Sequence, residues 1–116
     1  MTVEDIFTNL AAHMKEGIMM HEDMMMAFDF LGLKGYSKCQ EYHYEEELNN
    51  YKILHHYYIS HFNRLIKPNP INYSSIIPSN WYKYSAADAD VSTKRDVIKD
   101  FMEKWVLWEQ TTKKLF

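Results

Sequence analysis

Residues 21–47 read HEDMMMAFDFLGLKGYSKCQEYHYEEE, and the two glycines at their centre decide the fold. Upstream, apolar side chains recur at Val3, Ile6, Phe7, Leu10, Met14, Ile18, Met24, Met25 and Phe28, the spacing of one face of an α-helix. Thr2 followed by Asp5 is an acidic variant of the capping box, so the first helix spans residues 2–31. Gly32-Leu33-Lys34-Gly35 stops it, because glycine takes the left-handed closing conformation without steric penalty. A second helix follows over 36–66, ended by Pro68 and Pro70. Its inward stripe reads Tyr36, Cys39, His43, Glu47, Asn50, Leu54, Tyr57, His61 and Leu65. So short a break makes the two helices antiparallel neighbours.

Residues 67–84 form a long connection that holds Pro68, Pro70 and Pro78. Ile71, Tyr73, Ile76, Ile77, Trp81, Tyr82 and Tyr84 are too apolar to leave in water, so it packs along the helices with Trp81 as its plug. Extended at about 3.3 Å per residue, it is long enough to return the chain to the far end of the bundle. The third helix, over 86–116, then lies parallel to the second. Ser85 with Asp88, Asp90, or Ser92 are its capping candidates. Val97, Ile98, Phe101, Trp105, Trp108, Thr112 and Leu115 share a face, and Lys113 and Lys114 suit the helix dipole at the end. The expected fold is all-α: an antiparallel hairpin, a packed crossover and a third helix in one domain over 1–116, an incomplete four-helix bundle.

Composition removes several classes. With 116 residues, 47% hydrophobic and only 3 Gly and 3 Pro, the chain has material for one core and few tight turns. Lys plus Arg is 13 against 16 Asp plus Glu, a net charge of -3 that offers no footprint for duplex nucleic acid. The lone Cys39 excludes an internal disulfide and a zinc ribbon; its place on the stripe predicts a buried, inert thiol. Acidic Glu4 and Asp5 argue against a signal peptide, and no run reaches the ~18 apolar residues of a membrane span. A cytoplasmic setting is the expectation. Neither a G-x-S-x-G elbow, a phosphate loop nor an H-E-x-x-H pair occurs, so catalysis has no motif to rest on.

The segment GLKGYSKCQEYHYEEELNNY resembles the second helix of the ferritin-like superfamily, with Gly35-Tyr36 followed by Glu45-Glu46-Glu47 at matching spacing. The order of hairpin, crossover and third helix with Glu103-Lys104 is similar, and Glu16 falls where the first-helix carboxylate ligand sits. The resemblance implies the bundle fold and, in its metal-binding members, iron handled by carboxylates and histidines. Here Asn50 stands where the Glu-x-x-His step places imidazole, Glu103 points away from the apolar face, and a fourth helix is missing. The resemblance therefore implies the scaffold without ferroxidase chemistry. The segments HEDMMMAFDFLGLKGYSKCQEYHYEEE, IIPSNWYKY and STKRDVIKDFMEKWVLWE also look like small proteins encoded by bacterial prophages.

Two constellations remain. His21, His43, Glu47 and His61 fall on inward stripes and compose a candidate site for iron or zinc, against the alternative of a hydrogen-bonded polar network with no cofactor. Met14, Met19, Met20, Met24, Met25 and Met26 make the densest oddity. Met14, Met24 and Met25 fit the core stripe; Met19, Met20 and Met26 do not, and methionine is an adaptable contact surface. With His55, His56 and Tyr58 they form the candidate partner-binding set. A bundle lacking a wall exposes apolar surface that self-association or a protein partner covers. The expected function is a non-enzymatic interaction protein, a phage or mobile-element accessory factor that inhibits a host defence protein such as a CRISPR effector.

Overall fold

The computed structural model describes residues 1–71, 73–83 and 89–115. Three α-helices carry the chain: α1 (Val3–Phe30), α2 (Lys34–Phe62) and α3 (Val91–Leu115), with a short 3-10 turn at Ser79–Lys83 and no strand among the described residues. They make a rod with extents of 52 × 24 × 22 Å.

The start of α1 is the capping box read from the sequence: Asp5 N–H donates to Thr2 Oγ1 at 3.1 Å, and Thr2 N–H donates to Asp5 Oδ2 at 3.0 Å. Gly32 closes α1 at φ +74°. The hairpin that follows is built on two seams spaced alternately by three and four residues. On α1 the seam is Phe7, Ala11, Met14, Ile18, His21, Met25 and Phe28; on α2 it is Ser37, Gln40, Tyr44, Glu47, Tyr51, Leu54 and Tyr58, every one of them buried or half-buried. The helices run antiparallel: Phe28 meets Tyr36, His21 meets Gln40, and Phe7 meets Tyr58.

The α2 seam lies one residue beyond the predicted stripe over most of its length, which corrects several expectations. Tyr36 and Cys39 are exposed, and Ser37 and Gln40 are buried in their place. Apolar Tyr and Cys beside small or polar Ser and Gln point the periodicity the wrong way. Tyr58 is core, 3% exposed, and His61 is at the surface. α2 also ends at Phe62 rather than Ile66. Asn63 takes the left-handed conformation (φ 51°) and its N–H caps Ile59 O at 2.9 Å, a role its short polar side chain tolerates. The turn tucks Ile66 against Ala11 and Tyr58 and leaves Leu65 outside.

The connection then runs alongside α1 in the same direction. Asn69 Nδ2 donates to Asn9 Oδ1 at 3.0 Å, the Tyr73 hydroxyl and Ser75 Oγ both donate to Asp23 Oδ2, and the Trp81 ring rests on Phe30. Tyr73, Ile76, Ile77 and Trp81 pack against the core of Met20, Met24, Ala27, Phe28 and Phe101. This third wall buries Met20, which the stripe had left outside. With α2, α3 and the connection around it, α1 is buried over more than half of its circumference.

α3 begins at Val91, not at 86, because Asp90 is the cap: Thr93 N–H donates to Asp90 Oδ1 at 2.7 Å. Ser85 and Asp88 lie outside the described residues. α3 runs antiparallel to α1 and so parallel to α2. Phe101 packs on Phe28 at one end, and at the other Trp108 stacks on His13 with 4.5 Å between ring centroids and 7° between planes.

Hydrogen bonds close a loop around that stack. Trp108 Nε1–H donates to the His13 carbonyl at 3.2 Å, and Thr112 Oγ1–H donates to the Trp108 carbonyl at 3.0 Å. The threonine has one hydroxyl hydrogen, so in its 2.7 Å contact with His13 the imidazole Nε2–H is the donor. The indole reaches α1 because residue 17 is glycine. A Cβ there would lie 2.7 Å from Trp108 Cε2, 2.8 Å from Cη2 and closer still to Cζ2.

Alanine at a helix-interior glycine ordinarily stabilises by up to about 1 kcal/mol. Here overpacking of about 1–3 kcal/mol opposes it. Gly17→Ala is expected to lower Tm, and to raise it in a Trp108→Ala background where the ring is gone. A thermal-melt cycle checks the sign reversal.

Candidate functional site

Five of the six histidines were expected at functional positions, and the structure separates them. His21 and His43 come together in the middle of the bundle, with ring centroids 5.5 Å apart. His21 is 1% exposed and Gln40 fully buried. An amide oxygen only accepts, so His21 Nδ1–H donates to Gln40 Oε1 at 2.7 Å and the proton sits on Nδ1. Trp105 covers the pair, edge-on to His21 at 5.2 Å and to His43 at 4.5 Å. Its Nε1–H reaches Glu109 Oε1 at 3.2 Å. The Gln40 amide nitrogen is buried without a protein partner.

The electrostatics of this layer follow from its burial. Desolvation holds His21 below the ordinary imidazole range, with the Gln40 hydrogen bond working against it. His13 is lowered by burial too. Glu47, half-buried on the same seam, is raised first by burial and then by Glu109 and Glu46. The layer brings together the His21 and His43 rings and one buried amide under Trp105 and Trp108, with the half-buried Glu47 carboxylate on the same seam.

His61 does not join them. It sits 18 residues beyond His43 on the same helix, about 27 Å along its axis. It is exposed, its ring stacks on Tyr57 at 4.0 Å, and its Nδ1–H donates to the Tyr57 carbonyl. Asn50 is exposed as well. No group of three or more His, Cys, Asp or Glu side chains among the described residues is placed to hold a metal ion. The residue that the sequence reading passed over is His13, whose sequence neighbourhood gives no sign of Trp108; the helix-interior glycine four residues on was the only available signal.

The partner set divides. Met19, Met26 and His56 are exposed; Met20 and Tyr58 are core; His55 is half-buried. On the solvent side of α2 an open groove of about 640 Å³ is lined by Lys52, Ile53, His56, Tyr57, Ser60 and His61. Ile53 is 58% and Tyr57 49% exposed, with Tyr42, about three and four turns earlier, at 63%. Glu41, Glu45 and Glu46 stand exposed on the same helix. No helix among the described residues is long and apolar enough to cross a membrane.

Comparison of the chain with protein-family models, curated proteins and solved structures gives no match.

The titrations set the pH response. Unfolded histidines take up protons near pH 6.5, and buried His13 and His21 refuse them until lower pH. The unfolded chain then binds more protons, so stability falls as pH drops from about 7 to about 5. Glu47 acts oppositely: its raised folded value means the folded chain binds a proton first, which adds stability on acidification. Glu47→Gln should therefore raise Tm at about pH 7.5, by roughly 0.2–0.5 kcal/mol equivalent for a like-charge neighbour relieved, and steepen the loss on acidification. Melts across that range check both slopes.

Proposed function

We propose that this chain is a non-enzymatic protein-interaction module. The observation that carries the reading is the groove on α2. Ile53 and Tyr57 line it, both more than two-fifths exposed. Ile53 lies outside both core clusters, and Tyr57 keeps its outer edge in the groove while its ring stacks on Phe7 of α1. Exposed apolar surface of this kind marks a contact site, and tyrosine with a neighbouring histidine supplies area with a polar tip. Exposed Met19 and Met26 add adaptable contacts on α1.

The likeness to prophage-encoded proteins extends the proposal to a mobile-element accessory factor acting in the cytoplasm on a host defence protein. A CRISPR effector fits by charge. Enzymes that handle nucleic acid carry basic channels. A chain of net charge -3 displaying Glu41, Glu45 and Glu46 beside an apolar groove is complementary to such a channel. The ferritin-like ancestry is part of the same proposal, as a scaffold reused for docking. The metal alternative keeps His21 and His43 as its two imidazoles, and titration with zinc or iron separates the readings: bound metal raises Tm, while the docking reading predicts no shift.

Ile53→Asp combined with Tyr57→Asp removes the Tyr57 stack on Phe7, a loss of about 0.5–1.5 kcal/mol for an aromatic pair, and a thermal melt confirms that the double variant stays folded. Purified wild-type protein is expected to form a stoichiometric complex with a purified effector on a sizing column, and the double variant to lose it. Binding retained in the double variant, or absent from the wild type across the effectors of hosts that carry such prophages, contradicts the proposal.

A further inference from the structure

The exposed face of α2 is complementary to itself. Helical periodicity sets Asn49 about 160° around the axis from the seam residues Glu47 and Tyr51. Tyr42, Glu45, Ile53, His56 and Ser60 lie within about 40° of Asn49, and all are exposed. Tyr42, 63% exposed, stands near one end of this face. The open groove lined by Ile53, His56, Tyr57 and Ser60 lies near the other. A protruding ring and a groove on one face are the two halves of an isologous contact.

The charges divide in the same sense. Glu41, Glu45 and Glu46 stand exposed with Lys38 on the first half of the helix. On the second half Lys52 stands with His56 and His61, and α2 has no carboxylate after Glu47. Among the described residues neither Glu45 nor Lys52 is in a salt bridge; the three present use Lys34, Arg64 and Lys104. α2 itself offers them no partner. Three and four residues from Glu45 stand Glu41, Tyr42, Leu48 and Asn49, and from Lys52 Leu48, Asn49, His55 and His56.

We infer that α2 pairs with α2 of a second copy of this chain, antiparallel about a twofold axis at Asn49. Tyr42 and His56 lie at equal distances before and after Asn49, so each Tyr42 ring enters the groove of the other copy. The same axis brings each Glu45 within about 2 Å of level with Lys52 of the other copy. Both residues lie on one flank of the face, and like flanks meet in an antiparallel pair of helices. An aromatic contact and a charge contact thus select one register. From Tyr42 to Ser60 the face is about 27 Å long and one helix wide. That is below a standard interface, so the pair is weak, with a Kd of about 10–100 µM. The inference rests on the reading of this face as a contact surface and adds what occupies it when no effector is present; a tighter partner parts the copies.

The test is sedimentation equilibrium of the full chain alone, from about 5 to about 500 µM, in about 0.05 M sodium chloride, where exposed charges are little screened. A monomer–dimer equilibrium is expected in that range. Tyr42→Ala should weaken it about tenfold. Glu45→Lys and Lys52→Glu, each acting twice by symmetry, should each weaken it about tenfold as well. An equimolar mixture of the Glu45→Lys and Lys52→Glu chains sets opposite charges together again at both contacts, and should recover the dimer that neither forms alone. That recovery also shows both variants folded. A strictly monomeric profile at the highest concentration, or a dimer that the charge reversals and their mixture leave unchanged, overturns the inference. No effector is in the cell, so a monomer here leaves the effector complex to be judged on the sizing column, and a dimer that responds as expected stands even where no effector binds.

Discussion

The seating of Trp108 on Gly17 is the constraint on which the rest of the molecule depends. The hairpin of α1 and α2 assembles itself through two interlocking seams, but α3 arrives after a long connection with nothing in its own sequence to set its register. One missing Cβ sets it. The indole lies where that atom would be, stacks on His13 and donates to the His13 carbonyl, and the His13 ring returns a hydrogen bond through Thr112 to the Trp108 carbonyl. Two backbones and three side chains are tied into one closed loop, and any slip of α3 by a residue breaks all of it.

The other features follow from that register. With Trp108 fixed, Trp105 falls one turn earlier onto His21 and His43 and covers the polar layer. Phe101 falls two turns earlier onto Phe28 and completes the apolar core. A buried polar layer between apolar ends is a way to specify one pairing of helices, since a shifted register would strand His21 and Gln40 without partners. Because α2, α3 and the connection all gather on α1, the outer side of α2 is left with Ile53 and the outer edge of Tyr57 in water. The candidate docking face is thus a consequence of packing around a single central helix.

The elements were legible in the sequence and their faces less so. Thr2 with Asp5 and Gly32 mark ends by local chemistry, and local chemistry needs no tertiary partner to act; the prolines set only an outer bound, since α2 stops earlier on Asn63. The packing of the connection along the helices, docked by Trp81, was legible because Tyr73, Ile76, Ile77 and Trp81 are too apolar for a solvated loop; Tyr82, read with them, stands 75% exposed, and Tyr84 lies outside the described residues. The α2 face was misread because Ser37 and Gln40 hold core positions for reasons outside the helix: Ser37 Oγ donates to the Met25 carbonyl, and Gln40 accepts from His21. Met20 and Tyr58 were placed outside because the stripe allowed for one packing partner where each meets more. Of the expected metal set, His21 and His43 converge, and His61 stands about five turns further along α2, exposed at the surface. The Trp108 clamp was illegible, since it joins residues more than ninety positions apart.

The most direct measurement is a proton NMR spectrum of the folded chain that resolves the two Gly17 Hα signals. Seated under the Trp108 ring, they are expected to shift strongly upfield and to show cross-relaxation with the indole Hζ2 and Hη2. Gly17 signals at ordinary helical positions, with no cross-peak to Trp108, would contradict the account.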